Sequence, residues 1–316
     1  MRISCLPWLR KLPAIITLAL LALGLQGCST LRLAYSNAPT AAYWYLDGYL
    51  DFNDAQAPAV RSALTQIHRW HQQTQLPAYL QTLSRLQAQV AKDITPEQAC
   101  SFYTQVQEVL VDTGEGMADM LQMAALHTVG NTAARLAVSS PAAPAALLAT
   151  LDARQLQHLE RKFIKSNAEY RKDFMDGTPA RQREKRLERT ISRAESFYGP
   201  LDKRQQDLLA ERLATSAYQP ELAYAERVRR QQDLVQTLKA LNTGQAATAR
   251  DASLKAVLAR WAESPDPSYR EQSQAMRLHS CETLAALHNS TSTKQRENAA
   301  GALQSYAQDL QAVRKS

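Results

Sequence analysis

The chain has 316 residues, 45% of them hydrophobic and 21% charged, with 37 Lys and Arg against 30 Asp and Glu for a formal charge of +7. Its 10 Gly and 13 Pro exclude a collagen-like or low-complexity chain, and the apolar content excludes disorder throughout. The length suits one large or two ordinary domains.

The first segment reads as an address rather than as fold. Residues 1–11 carry Arg2, Arg10 and Lys11 and no acid, and an apolar run follows from Leu12 to Leu25. That run is shorter than the roughly 18 residues that cross a bilayer as a helix, so it predicts a secretory signal. It ends in Leu25-Gln26-Gly27-Cys28, which resembles the lipobox of bacterial lipoproteins; Leu25, Gly27 and Cys28 fit and Gln26 departs from the usual residue. The resemblance implies that residues 1–27 are cleaved and that Cys28 carries a covalent diacylglycerol and an N-acyl lipid, with no other cofactor. Ser29, in place of the Asp often found in lipoproteins kept in the inner membrane, points the expectation to the periplasmic face of the outer membrane. Anchoring would be firm, since each buried CH₂ contributes about 0.8 kcal/mol. The alternative is an ordinary signal with a chance cysteine. An exported protein is not expected to meet nucleic acid, despite its positive charge.

Beyond Cys28 the fold class expected is all-α. No alternating β-branched run is bounded by a hairpin turn, whereas helical periodicity recurs, as in Leu76, Tyr79, Leu80, Leu83, Leu86 and Val90, or Leu187, Ile191, Ala194 and Tyr198. The pattern predicts helices near 40–50, 54–73, 76–92, 96–112, 115–137, 152–175, 179–198, 203–217, 220–242, 249–263, 267–289 and 293–314. Four starts share one grammar, a capping residue followed three positions later by Gln: Asn53 and Gln56, Thr95 and Gln98, Asp152 and Gln155, Asp202 and Gln205. In such a box the cap accepts the Gln N–H and the Gln side chain reaches back to the cap N–H. This suits a multi-helix array of capped hairpins, too unevenly spaced for a solenoid. The Ser139-Ser140-Pro141-Ala142-Ala143-Pro144 stretch is the expected joint between an N-terminal lobe, 28–140, and a C-terminal lobe, 141–316.

The segment from Trp44 to Gln56, with Trp70-His71 and Leu76-Pro77-Ala78-Tyr79 downstream, resembles proteobacterial lipoproteins that share a domain of unknown function, the DUF6279 family. Relatives often carry an acid before the Leu-Pro pair, where this chain has Gln75. The resemblance implies no activity and no catalytic residue. Separately, Thr95-Pro96-Glu97-Gln98 is similar to the Leu-Thr-x-x-Gln motif of small periplasmic stress chaperones, with Ile94 for the Leu.

Catalytic signatures are sparse. Gly114-Glu115-Gly116 lacks the Lys and the preceding strand of a phosphate loop. The i, i+3 pair His68 and His71 is a weak metal candidate, with two partly exposed helix histidines as the plain reading. Asp47 and Asp51 share a face near a helix C-terminus, where carboxylates oppose the helix dipole. An ion pair from Arg61 to Asp47 is expected to compensate; the sharper reading is an acid/base pair in a peptidoglycan-cleaving hydrolase. Tyr43, Trp44, Tyr45, Tyr49 and Phe52 are expected in the core, or at the membrane interface. Cys100 and Cys281 remain after processing and are a candidate disulfide, or two separate buried thiols.

Arg186, Arg189 and Arg193 form a stripe with no acid three or four positions away. Its counter-charge is expected on a neighbouring helix or in solvent, or in an anionic envelope component, either lipid phosphate or peptidoglycan carboxylate. The function expected is a non-catalytic binding or scaffolding role in the envelope, through outer-membrane lipid and an anionic component or envelope protein. A chaperone-like role and a cell-wall hydrolase are the alternatives.

Overall fold

A computed structural model describes residues 30–106, 147–243 and 246–315. Among these residues the chain is all-α, with no strand. The helices are α1 (Thr30–Ser36), α2 (Ala38–Leu50), α3 (Ala57–Trp70), α4 (Leu76–Gln89), α5 (96–106), α6 (Ala153–Phe174), α7 (Pro179–Tyr198), α8 (Lys203–Ala214), α9 (Pro220–Leu241), α10 (Ala247–Ala262), α11 (Pro267–Asn289) and α12 (Thr293–Lys315). No helix among the described residues is long and apolar enough to cross a membrane. The signal segment, Cys28, the 115–137 helix and the joint at 139–144 lie outside the described residues.

Proline sets several starts. It stands at N1 or N2 of α2, α3, α4, α7, α9 and α11, where a missing N–H removes no helical bond. Pro77 also explains a departure from expectation. In place of separate helices at 54–73 and 76–92, α3 and α4 are joined by a π-helical turn, His71–Gln75. Proline cannot donate to the carbonyl four residues back, and a wider turn absorbs the mismatch. Helix α1 had no sequence signal, being only seven residues long; it docks through Arg32 Nε on the Asp309 carboxylate of α12 at 2.8 Å.

The four capping boxes form, and a fifth joins them at the start of α12, between Ser292 and Gln295. Their glutamines then pair across the fold. Gln155 Nε2 donates to Gln56 Oε1 at 2.8 Å and to the carbonyls of Leu50 and Asp51, the exposed end of α2. Gln205 and Gln295 exchange amide bonds of 2.9 Å, while reaching the carbonyls of Ser290 and Pro200. Each pair thus caps two helix starts and the ends of neighbouring segments with groups that would otherwise be orphaned. Gln155 and Gln205 are each 1% exposed.

Among the described residues three apolar clusters hold the array. Leu50, Leu151, Leu156, Leu159, Val235, Leu238 and Leu241 join α2, α6 and α9. Val90, Tyr198, Leu201, Leu209, Leu287, Ala299 and Leu303 join the end of α4 to α7, α8, α11 and α12. Ile94, Ala99, Cys281 and Ala285 tie α5 to α11, where Cys100 and Cys281 form a disulfide across 181 residues of sequence. Every cluster draws on both sides of the joint expected at 140/141. Fully burying one such Leu contributes about 1.5–3 kcal/mol.

Candidate functional site

The groups singled out for chemistry near the N-terminus are engaged in structural bonds. His68 Nε2 donates to the Tyr35 carbonyl at 3.0 Å. His71 lies between two phenols, with Nδ1 2.9 Å from Tyr35 Oη and Nε2 3.1 Å from Tyr79 Oη. Burial, helped by His68, pushes the His71 pKa below its ordinary value, and burial raises that of Tyr35 to about 12. Among the described residues no group of three or more His, Cys, Asp or Glu could hold a metal ion.

The expected Arg61–Asp47 ion pair does not form. The Arg61 guanidinium lies over the Tyr43 ring, 3.4 Å from its centroid, and 5.2 Å from that of Trp44. Asp47 instead accepts the Phe52 N–H at 3.0 Å, helping to turn the chain after α2. Asp51 closes that turn with φ 50° and ψ 61°, a left-handed conformation that Asp tolerates better than most residues. Its carboxylate faces Arg154 at 3.6 Å. The compensation is therefore local capping plus a cation on aromatic faces, and the two carboxylates have separate structural partners.

The five aromatics divide. Tyr43 is buried, Tyr49 and Phe52 pack on the α2/α6/α9 core, and Tyr49 meets Phe163 at 5.9 Å. Trp44 and Tyr45 are 60% and 66% exposed.

The arginine stripe also divides. Arg186 stacks 4.5 Å from the Tyr218 centroid and Arg189 4.8 Å from that of Phe174, while Arg193 is exposed and joins neither. Two further arginines, absent from the sequence expectation, complete the cluster: Arg227 stands 5.0 Å from the Tyr170 centroid and Arg171 5.5 Å from that of Tyr224. The rings are themselves in contact. Tyr170 packs on Phe174 at 4.8 Å and on Tyr224 at 6.0 Å, and its hydroxyl is 3.5 Å from that of Tyr218. Four guanidiniums from α6, α7 and α9 thus converge on four rings. No carboxylate among the described residues pairs with any of the four; each lies instead on a ring face, worth about 0.5–2 kcal/mol to a cation.

An apolar groove runs between α4, α5 and α12. One part, about 340 Å³, is lined by Leu31, Tyr79, Leu83, Leu86, Val106 and Leu310. An adjoining part, about 330 Å³, shares Leu86 and Val106 and reaches Phe102, Phe197 and Leu284.

A family model described as "Family of unknown function (DUF6279)" matches residues 48–136 and 126–270. No curated protein and no solved structure matches the chain.

Proposed function

The chain belongs to the DUF6279 family, whose function is unknown, and on that premise we propose that it is an outer-membrane-anchored periplasmic lipoprotein with a non-catalytic binding or scaffolding role in the envelope. The anchor would be the diacylglycerol and N-acyl lipid on Cys28. The observation that carries this reading is the exposed pair Trp44 and Tyr45, placed on α2 shortly after the anchor. Amphipathic rings suit the headgroup layer of a membrane, and the α2–α3 hairpin behind them is held by Arg61 on Tyr43 and by the Asp47 turn. The engaged state of Asp47, Asp51, His68 and His71 supports binding over acid–base chemistry.

The test places a photo-reactive phenylalanine analogue at Tyr45 in cells, with a second at Leu258, which is 51% exposed on α10. Adducts to phospholipid at Tyr45 and none at Leu258 are expected. Equal lipid labelling at both positions, or none at Tyr45, would contradict the reading.

A second reading, a chaperone-like role, is favoured by the apolar groove alone, since concave apolar surface is what a holder of unfolded segments needs. Leu83→Glu should then abolish suppression of client aggregation. Suppression unchanged by this variant, or absent in the wild type, would remove it.

A further inference from the structure

The arginine–aromatic cluster carries more than a stacking role. A guanidinium lying on a ring uses only its face; its N–H donors stay in the plane and remain available to an acceptor. Arg186 spends one on Ser216 Oγ at 3.4 Å, and Arg227 donates to Asn167 and Ser166. Arg189 and Arg171 donate to no group among the described residues, and none of the four pairs with a carboxylate there. Burial lowers the Arg186 pKa; the neighbouring Tyr218 phenol opposes this, and the like charge of Arg189 adds to it. Two half-buried guanidiniums held side by side without an acid repel each other and lose hydration, an arrangement that an incoming oxyanion relieves.

The occupant follows from where the cluster sits. Tyr45 packs on Tyr49 at 5.2 Å and Tyr49 on Phe163 of α6 at 5.9 Å; Phe163, Tyr170 and Phe174 stand at i, i+7 and i+11 on that helix, so the cluster continues along the α6 face that meets the aromatic pair proposed above for the headgroup layer. We propose that Arg186 and Arg189, stacked on Tyr218 and Phe174 and flanked by Arg171 and Arg227, form a site for the phosphate of an anionic phospholipid headgroup. Guanidinium forks match phosphate oxygens two at a time, and the Tyr170 and Tyr218 hydroxyls, 3.5 Å apart, border the site with further donors. This inference rests on the membrane-anchored reading for the source of the phosphate, though not for the site itself.

The full chain, held in neutral detergent, is titrated by calorimetry with dihexanoylphosphatidylglycerol, dihexanoylphosphatidylcholine, inorganic phosphate and a muramyl peptide. Saturable binding of the glycerol lipid is expected, weakening as salt rises, with the choline lipid and inorganic phosphate at least tenfold weaker. Arg186→Gln with Arg189→Gln should weaken binding roughly tenfold or more, the factor carried by one charge-assisted hydrogen bond. Arg204→Gln with Arg314→Gln, which removes the same charge from exposed positions elsewhere, should leave it unchanged. If the glutamine pair fails to fold, Arg186→Lys with Arg189→Lys decides, since it keeps charge but loses the planar fork; a severalfold loss supports the site and wild-type affinity overturns it. Equal binding of the choline lipid, an equal loss in the control pair, or a preference for the muramyl peptide overturns the proposal. Inorganic phosphate binding as tightly as lipid overturns the membrane source. Because the protein is in detergent, the result is independent of acylation at Cys28. Failure of the anchor with intact lipid binding removes the first reading alone, and the reverse removes only this site.

Discussion

Replacing Gln155 with Met keeps the side-chain volume and deletes the amide at the centre of the first glutamine pair. The structure sets the cost. The amide nitrogen serves the carbonyls of Leu50 and Asp51 at 3.0 and 2.9 Å, its oxygen serves the Asp152 N–H at 3.0 Å, and both atoms engage Gln56. At about 1 kcal/mol or more for each group left without a partner, the loss should be roughly 3–5 kcal/mol. Gln56 keeps Thr150 and the Asn53 N–H as partners, so the shared part is the direct amide exchange, and Gln56→Met should cost about 0.5–1.5 kcal/mol less in the Gln155→Met background than alone. Urea denaturation of the four proteins, with the disulfide intact, measures both quantities. A loss below about 1 kcal/mol, or strict additivity, would refute the reasoning that the paired amides cap two helix junctions together.

Gly199 ends α7 at φ 81°, and a Cβ there would lie 2.7 Å from Asn298 Nδ2, which donates to the Tyr198 carbonyl. Gly199→Ala should therefore cost about 1–3 kcal/mol in a thermal or urea melt, and an unchanged midpoint would contradict the strain. Glu226 is 3% exposed; burial alone would raise its pKa, but bonds from Arg229, Arg230 and Ser264 outweigh it and hold the carboxyl down to about 2. A depressed carboxyl stabilises the fold above its unfolded pKa, so this contribution should be full above about pH 4.5 and fade as pH falls towards 2. Glu226→Gln should cost about 2–4 kcal/mol at pH 7 by removing the carboxylate that Arg229 and Arg230 share, and the gap to wild type should narrow in acid melts; a gap that stays constant would contradict the linkage. Peptide mapping of the isolated protein should find Cys100 linked to Cys281, and loss of the bridge should cost about 5 kcal/mol on loop-entropy grounds. Two free thiols would contradict the bridge.

Most helices were readable because their punctuation is local. Pro179 and Gly199 bracket α7, and Asp202 with Gln205 opens α8, using residues within one turn of each other. The long partners were not readable. Nothing near Gln155 in sequence points to Gln56, and nothing near Arg186 points to Tyr218, because helix packing rather than spacing brings them together. An acid three or four positions away is a local signal, whereas Phe174 of α6 and Tyr218 of the α8–α9 connection reach the arginines only through packing. The Ser292 and Gln295 box is fainter in sequence, because no apolar residue introduces it as Leu151 and Leu201 introduce theirs. The Asp47 turn was legible as a problem, two acids at a helix end, though its solution by the Phe52 N–H depends on Asp51 adopting a left-handed backbone.

The lipid anchor proposed on Cys28 is tested most directly in cells. Cells expressing the wild type or Cys28→Ala are fed a clickable palmitate analogue, and the protein is captured and its label and size compared. A labelled, processed wild type and an unlabelled, uncut variant are expected of an anchored protein. Equal labelling of both, or an unlabelled wild type, would contradict the anchor.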